Sequence, residues 1–166
     1  MNRLVDGRHH TDIPQLMVEP TRPSNFLYDH IAAVIVLDAQ DRVVLQLRDN
    51  FPHIANPNHW GLFGGRIEPG ETWVEAAARE VGEELTLPTE ANELTWMGAF
   101  DVRANCTFYT YLYRAGRLLR RAVITEGQAF RLFTSTELIT MVQQGGFGGH
   151  ALSDSAQQVL RAYIHR

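Results

Sequence analysis

A mixed α/β domain is what this sequence predicts, on three observations. A continuous apolar run, Ile31 to Leu37, reads as a strand buried on both faces. Thr72 and Glu75 form a capping-box pair after the Pro69-Gly70 turn and open a helix from about Trp73 to Leu85. The segment Thr134-Ser135-Thr136-Glu137 repeats that pattern and opens a second helix, through about Gln143.

Taken in order, residues 1–25 are polar, punctuated by Pro14, Pro20 and Pro23, and lack periodicity, so they are assigned as an N-terminal arm before one domain, 26–166. Adjacent His9 and His10 do not face one another on a helix and have nothing nearby to complete a metal site. The turn Asp38-Ala39-Gln40-Asp41 leads from the first strand into a second, Arg42 to Arg48. After a Pro- and Asn-containing loop, His59 to Phe63 is a short apolar approach to Gly64-Gly65 and the first helix. Further strands are expected at Leu94 to Val102, Cys106 to Tyr113, Arg121 to Thr125 and Ala129 to Phe133. The glycine-rich stretch Gly145 to Gly149 lacks a following Gly-Lys-Ser/Thr and is read as a loop, not a phosphate cradle. Beyond it Ala156, Val159, Leu160, Tyr163 and Ile164 recur at helical spacing, a core-facing stripe.

Composition narrows the class. The 166 residues are 45% hydrophobic, enough for one sizeable core. No apolar run reaches membrane-spanning length and the first residues lack a signal-peptide pattern, so no membrane partner and a cytoplasmic location are expected. The single Cys106 lies in a strand-like setting and is read as packed. All 15 basic residues are Arg, which removes any lysine base. A net charge of -4 argues against nucleic acid as a partner, although Arg114, Arg117, Arg120 and Arg121 gather positive charge in one stretch, read as solvated. Association into a homodimer is left open.

The chemistry concentrates on the first helix. Glu80, Glu83 and Glu84 stand at i, i+3 and i+4, on one face, where they repel one another unless a cation lies among them. Hard oxygen ligands of this kind suit magnesium or manganese. A solvated acidic face is the alternative reading of the three glutamates alone.

The flanks decide between the two. Gly65, five residues, Glu71, seven residues, then Arg79-Glu80-Val81-Gly82-Glu83-Glu84 resembles the signature of the Nudix family, pyrophosphohydrolases that cleave nucleoside diphosphates linked to another group. Leu45-Gln46-Leu47-Arg48 and Trp60-Gly61-Leu62-Phe63-Gly64-Gly65 resemble the family's approach to that signature, so the likeness covers roughly residues 30–140. Two positions depart from it: Thr86 stands in place of a glycine, and Phe63 where many members carry Pro. Thr is poorly suited to a left-handed C-cap, so the chain is expected to leave this helix by another backbone route. Gly82 inside the helix should cost about 1 kcal/mol relative to Ala.

The resemblance implies an α/β/α sandwich with a mixed sheet and metal-dependent hydrolysis of a pyrophosphate bond by direct water attack. It implies Mg2+ or Mn2+ as cofactor, with the carbonyl near Gly64, Glu71, Glu80, Glu83 and Glu84 around the metal and Arg79 orienting the glutamates. Thr125-Glu126-Gly127-Gln128 resembles a downstream stretch that supplies a further metal-facing glutamate, which gives Glu126 that role, against a plain turn residue. Glu80 is chosen as the proton acceptor, with Glu126 second. The implied partner is a small nucleotide. The absence of proline after Pro88, and of an extended upstream motif, favours a nucleoside triphosphate or related nucleotide over ADP-ribose or coenzyme A compounds. Phe51, Trp60, Phe108 and Tyr109 could stack on its base or pack in the core. A nucleotide-binding or regulatory module without turnover is the alternative function, and an isomerase is disfavoured because Cys106 lies outside any matching motif.

Overall fold

In the computed structural model, which describes residues 29–166, the apolar run becomes β1 (Asp29–Asp38), the strand around which the sheet is built. The proposed arm and the His9-His10 pair lie outside the described residues. β2 (Val43–Leu47) pairs antiparallel with the end of β1, and the approach segment divides into β3 (Trp60–Gly61) on β2 and β4 (Phe63–Arg66) on the first half of β1. The helix α1 (Trp73–Leu85) follows, then β5 (Leu94–Arg103) and β6 (Cys106–Gly116), with β6 lying parallel to β1 and antiparallel to β5. β7 (Ala129–Phe133) returns to β2, α2 (Ser135–Gln144) follows, and α3 (Asp154–Ile164) closes the chain. One mixed seven-stranded sheet results.

Both faces of that sheet are covered, which is why β1 reads as unbroken apolar sequence. Ala32, Val34 and Val36 point to α1 and meet Ala76, Ala77, Val81 and Leu85. Ala33, Ile35 and Leu37 point the other way, to Leu138, Met141, Ala156, Val159 and Leu160 of α2 and α3. Of the terminal stripe, Tyr163 and Ile164 are only partly buried against this second cluster. Cys106 is buried, as its strand setting implied. The capping boxes Thr72–Glu75 and Thr134–Glu137 are both formed.

Three local expectations differ from the structure. The strand expected over 121–125 does not form: a 3-10 turn ends at Arg121, and the backbone that follows is spent on α1. The Val123 amide donates to Leu85 O at 3.1 Å and the Thr125 amide to Glu84 O at 3.0 Å, so amides meant for a ladder cap helix carbonyls instead. Thr86 does adopt the left-handed conformation, φ 54° and ψ 27°, contrary to expectation. Its hydroxyl explains the tolerance, donating to Leu85 O at 2.7 Å and accepting from the Val123 amide at 3.2 Å. The Gly145 to Gly149 loop holds a two-stranded hairpin, β8 (Gly146–Phe147) with β9 (His150–Ala151), turning on Gly148 and Gly149 at φ 63° and 84°.

Gly82 has room for a side chain, since an added Cβ would meet only Leu87 O, at 3.6 Å. Gly82→Ala should therefore raise stability by about 0.5–1 kcal/mol through the unfolded chain's lost freedom, read as a higher urea midpoint with an unchanged m-value. A lower midpoint would show that the helix needs glycine at this position.

Candidate active site

The loop from β4 and the last two turns of α1 bring the acidic residues of the sequence together. α1 lies along the β1–β4 pair because its Ala76, Ala77 and Val81 bury against β1 and Phe63, and this turns Glu80 and Glu84 toward the glycines of β4. Gly64 sits at φ 134° with its Cα pressed on β1, where a Cβ would lie 2.0 Å from Ala32 O. A Cβ on Gly65 would lie 2.4 Å from Glu80 Oε1. The double glycine thus lets backbone approach both the sheet and the Glu80 carboxylate of α1.

The three glutamates on one face of α1 have separate environments. Glu84 is 3% exposed; its Oε2 accepts from the Gly64 amide at 2.8 Å and its Oε1 from Gln46 Nε2 at 3.2 Å. Burial pushes its carboxyl up to about 8, against the pull of those two donors, and the nearby Glu80 and Glu126 charges add to the rise. Glu80 is half-buried and also raised, by burial first, while Arg79 opposes the shift. Glu83 is 59% exposed, reaching Arg79 Nη1 at 3.1 Å.

Arg79 is the hub of the remainder. Its Nε donates to Glu71 Oε1 at 2.6 Å, its Nη1 to Glu80 Oε1 at 2.7 Å, and its Nη2 to Glu71 Oε2 and Arg66 O, both at 3.0 Å. Hydrogen bonding to Arg79 holds Glu71 below the usual carboxylate range, and the same contacts keep the guanidinium charged. Glu71 spends both oxygens on Arg79, with Oε2 also accepting from the Glu68 amide at 2.9 Å.

Glu126 arrives from the segment that caps α1. Thr125 donates through its hydroxyl to Glu83 O, and the Gly127 amide donates to Asp49 Oδ2 at 3.0 Å, so the exposed Glu126 is fixed on both sides. Its charge acts on both Glu80 and Glu84. The structure therefore gathers Gly64, Glu71, Arg79, Glu80, Glu83, Glu84 and Glu126 at one place.

These residues fit a divalent cation by charge and donor type. Glu71, Glu80, Glu83, Glu84 and Glu126 are countered there by one guanidinium, and Glu83 and Glu84 stand at the negative end of the α1 dipole with no basic residue in the last turn. As arranged, no three acidic, imidazole or thiol side chains among the described residues converge at metal-ligand spacing. Arg79 draws Glu71, Glu80 and Glu83 to itself, while Gly64 and Gln46 hold Glu84.

Beside Gly64 and Gly65, on the α3 side of the sheet, opens a cleft of about 300 Å³. Ile31, Ala33 and Phe108 form its apolar floor, and Arg48, Arg103 and Asp154 stand among its polar residues. Of the four aromatics singled out in the sequence, only Phe108 lines it. Trp60 and Tyr109 are buried in the two cores, and Phe51 is exposed, stacked on His53. Sequence reasoning missed Gln46, 2% exposed and donating also to Leu62 O at 3.1 Å, together with Asp49. A lone amide in the apolar run Val43-Val44-Leu45-Gln46-Leu47 was the available signal for Gln46.

Comparison with known proteins agrees with this geometry. The NUDIX domain matches residues 28–147. The chain is 38% identical over 68 residues to the dihydroneopterin triphosphate diphosphatase of Escherichia coli (strain K12), covering 39% of this chain and 41% of that protein. It is 44% identical over 48 residues to the nucleoside triphosphatase NudI of Escherichia coli O9:H4 (strain HS), covering 28% and 34%. The alignments thus span less than half the length of these relatives. Among solved structures, DR0079 from Deinococcus radiodurans superposes with a TM-score of 0.63 at 22% identity, over 86% of this chain and 88% of that one. The E. coli dihydroneopterin triphosphate pyrophosphohydrolase superposes at 0.57 and 20% identity, over 84% and 98%. Both likenesses are of fold. With the domain match covering most of its length, this chain belongs to the Nudix family.

Proposed function

We propose that this protein hydrolyses a pyrophosphate bond of a nucleoside triphosphate or a related nucleotide, with Mg2+ or Mn2+ held by Glu80, Glu83, Glu84 and Glu126. The observation that carries the reading is the excess of carboxylates around one arginine, next to the Gly64-Gly65 backbone that also lines a cleft of about 300 Å³. Both sequence relatives are named for action on triphosphates, which favours that substrate class.

Held by Glu80, Glu83, Glu84 and Glu126, a divalent cation would neutralise the phosphate oxygens and make an attacking water more acidic. The protein's own groups do the rest. Glu80, half-buried beside the Gly65 backbone, takes the proton from water, and its raised proton affinity suits it to that task. Arg79, tied to Glu71, fixes the Glu80 carboxylate and steadies Glu83. Gln46 and the Gly64 amide orient Glu84. Phe108 offers a face for the base, while Arg48 and Arg103 add positive charge to the cleft that receives the anion. No protein nucleophile is required, so the products are those of direct hydrolysis.

Turnover of a panel of nucleoside triphosphates, diphosphates and linked dinucleotides, with Mg2+ and with Mn2+, tests this reading. Cation-dependent release of a monophosphate product is expected. Saturable nucleotide binding with no product under either metal would make the chain a binding module instead.

Glu126→Gln should lower kcat about tenfold or more and leave KM within about twofold, because a group that serves the metal or the water proton acts mainly in the transition state. Single-turnover rates with a parallel thermal melt check this. A fully active variant with a lowered Tm would return Glu126 to a turn role.

A further inference from the structure

The basic run of the sequence is divided by the fold. Arg114 leaves it to pair with Asp41. Arg117 and Arg120 instead line a separate cavity of about 270 Å³ with Arg42, which comes from the turn between β1 and β2. Leu119, with Phe130 and Leu132 of β7, adds apolar surface to the lining, which also includes Asp38 and Gln40. None of these residues lines the cleft beside Gly64 and Gly65.

The charges in this cavity do not cancel. Arg42 is spent on Asp38, with Nη2 to Oδ2 at 2.6 Å and Nε to the same oxygen at 2.8 Å. Asp38 further accepts the Arg42 and Gln40 amides at 2.8 and 2.9 Å, so it has no charge left over for the other arginines. Arg117 and Arg120 are exposed and have no acidic partner among the described residues. Two guanidiniums without an acidic partner among the described residues therefore line one hollow on a chain whose formal net charge is -4. Guanidinium forks match the oxygens of a phosphate group, and an aromatic ring with a leucine beside it accepts an apolar body.

We propose that this cavity is a second ligand site, one that takes a small phosphomonoester with an aromatic or apolar body. Arg117 and Arg120 hold the phosphate, and Phe130, Leu132 and Leu119 hold the body. Arg117, Leu119 and Arg120 precede Glu126 in the chain and Phe130 and Leu132 follow it, so a ligand touching both sets holds both ends of the segment that carries that residue.

The test is calorimetric titration of the full chain with phenyl phosphate in EDTA at low ionic strength, where neither a metal nor a pyrophosphate bond is present. One saturable site is expected, tighter than for inorganic phosphate and absent for the neutral benzyl alcohol. Arg117→Ala with Arg120→Ala should weaken it at least about tenfold, since each charge-assisted contact is lost. Arg114→Ala and Arg103→Ala should leave it unchanged. If the double variant does not fold by circular dichroism, Arg120→Gln alone carries the test, with a loss of about threefold or more expected. No saturable binding, affinity retained without the two arginines, equal affinity for inorganic phosphate, or loss in Arg103→Ala would each overturn the proposal. None of these outcomes depends on turnover, so the proposed hydrolysis stands or falls separately.

Discussion

Glu83→Gln is expected to lower kcat by about 10²–10³-fold at saturating magnesium, the scale seen when one electrostatic contact to a transition state is removed. The carboxylate is 59% exposed and its partner among the described residues is Arg79 Nη1, so the amide removes a charge without opening the core. The thermal melt should stay within a few degrees of the parent. Raising the magnesium concentration should recover part of the loss, because a ligand set with one less charge holds the cation more weakly. Steady-state kinetics across a magnesium series measures this, and parent-like rates at limiting magnesium would remove Glu83 from the ligand set.

The second large effect concerns pH. Glu84 has an ordinary carboxyl value of 4.5 and is pushed up to about 8 by burial. Between these values the folded state keeps a proton that the unfolded chain has lost, so the folded state binds more protons and stability falls as pH rises. In EDTA the protein should lose on the order of 5 kcal/mol between about pH 4.5 and 8 from this group, then level off. Glu80 is shifted in the same direction and adds to the fall. Asp38 and Glu71 act oppositely: both are held below the ordinary carboxylate range, so their stabilisation is present above it and lost as pH drops through their folded values. Their window lies in more acid solution and does not mask the Glu84 slope. Urea denaturation across pH in EDTA is the measurement. Glu84→Gln should flatten the slope whatever its absolute stability, and an unaltered slope would mean the carboxyl is not carrying it.

The helix and its three one-face glutamates were legible from residue spacing, and the Nudix resemblance added Gly64, Glu71, Arg79 and Glu126. α1 begins and ends where Thr72, Glu75 and the run to Leu85 place it, because the capping box and the apolar stripe act locally. The strands that bury side chains on both faces were legible for the same reason, through their own composition. What escaped depends on partners distant in sequence. The backbone of 122–125 has the look of a strand, but its amides meet α1 carbonyls nearly forty residues earlier, and only tertiary structure supplies that acceptor. Thr86 is a poor left-handed residue by intrinsic preference, and its tolerance comes from Val123, on that same segment. The acidic face was visible as three glutamates, yet their unequal burial was not, since it is set by how closely Gly64 and Gly65 let β4 approach α1. Gln46 likewise acquires meaning only when Glu84 is brought to it from 38 positions away.

The most direct test of the account is turnover in water enriched in oxygen-18, with the products resolved by mass spectrometry. Direct water attack at phosphorus, served by Glu80 and the neighbouring carboxylates, predicts one labelled oxygen per turnover in a phosphate-bearing product, only with Mg2+ or Mn2+ present, and none detectable on the same timescale with Glu83→Gln. Recovery of intact, unlabelled nucleotide from a protein that binds it and is saturated with either metal would contradict the account.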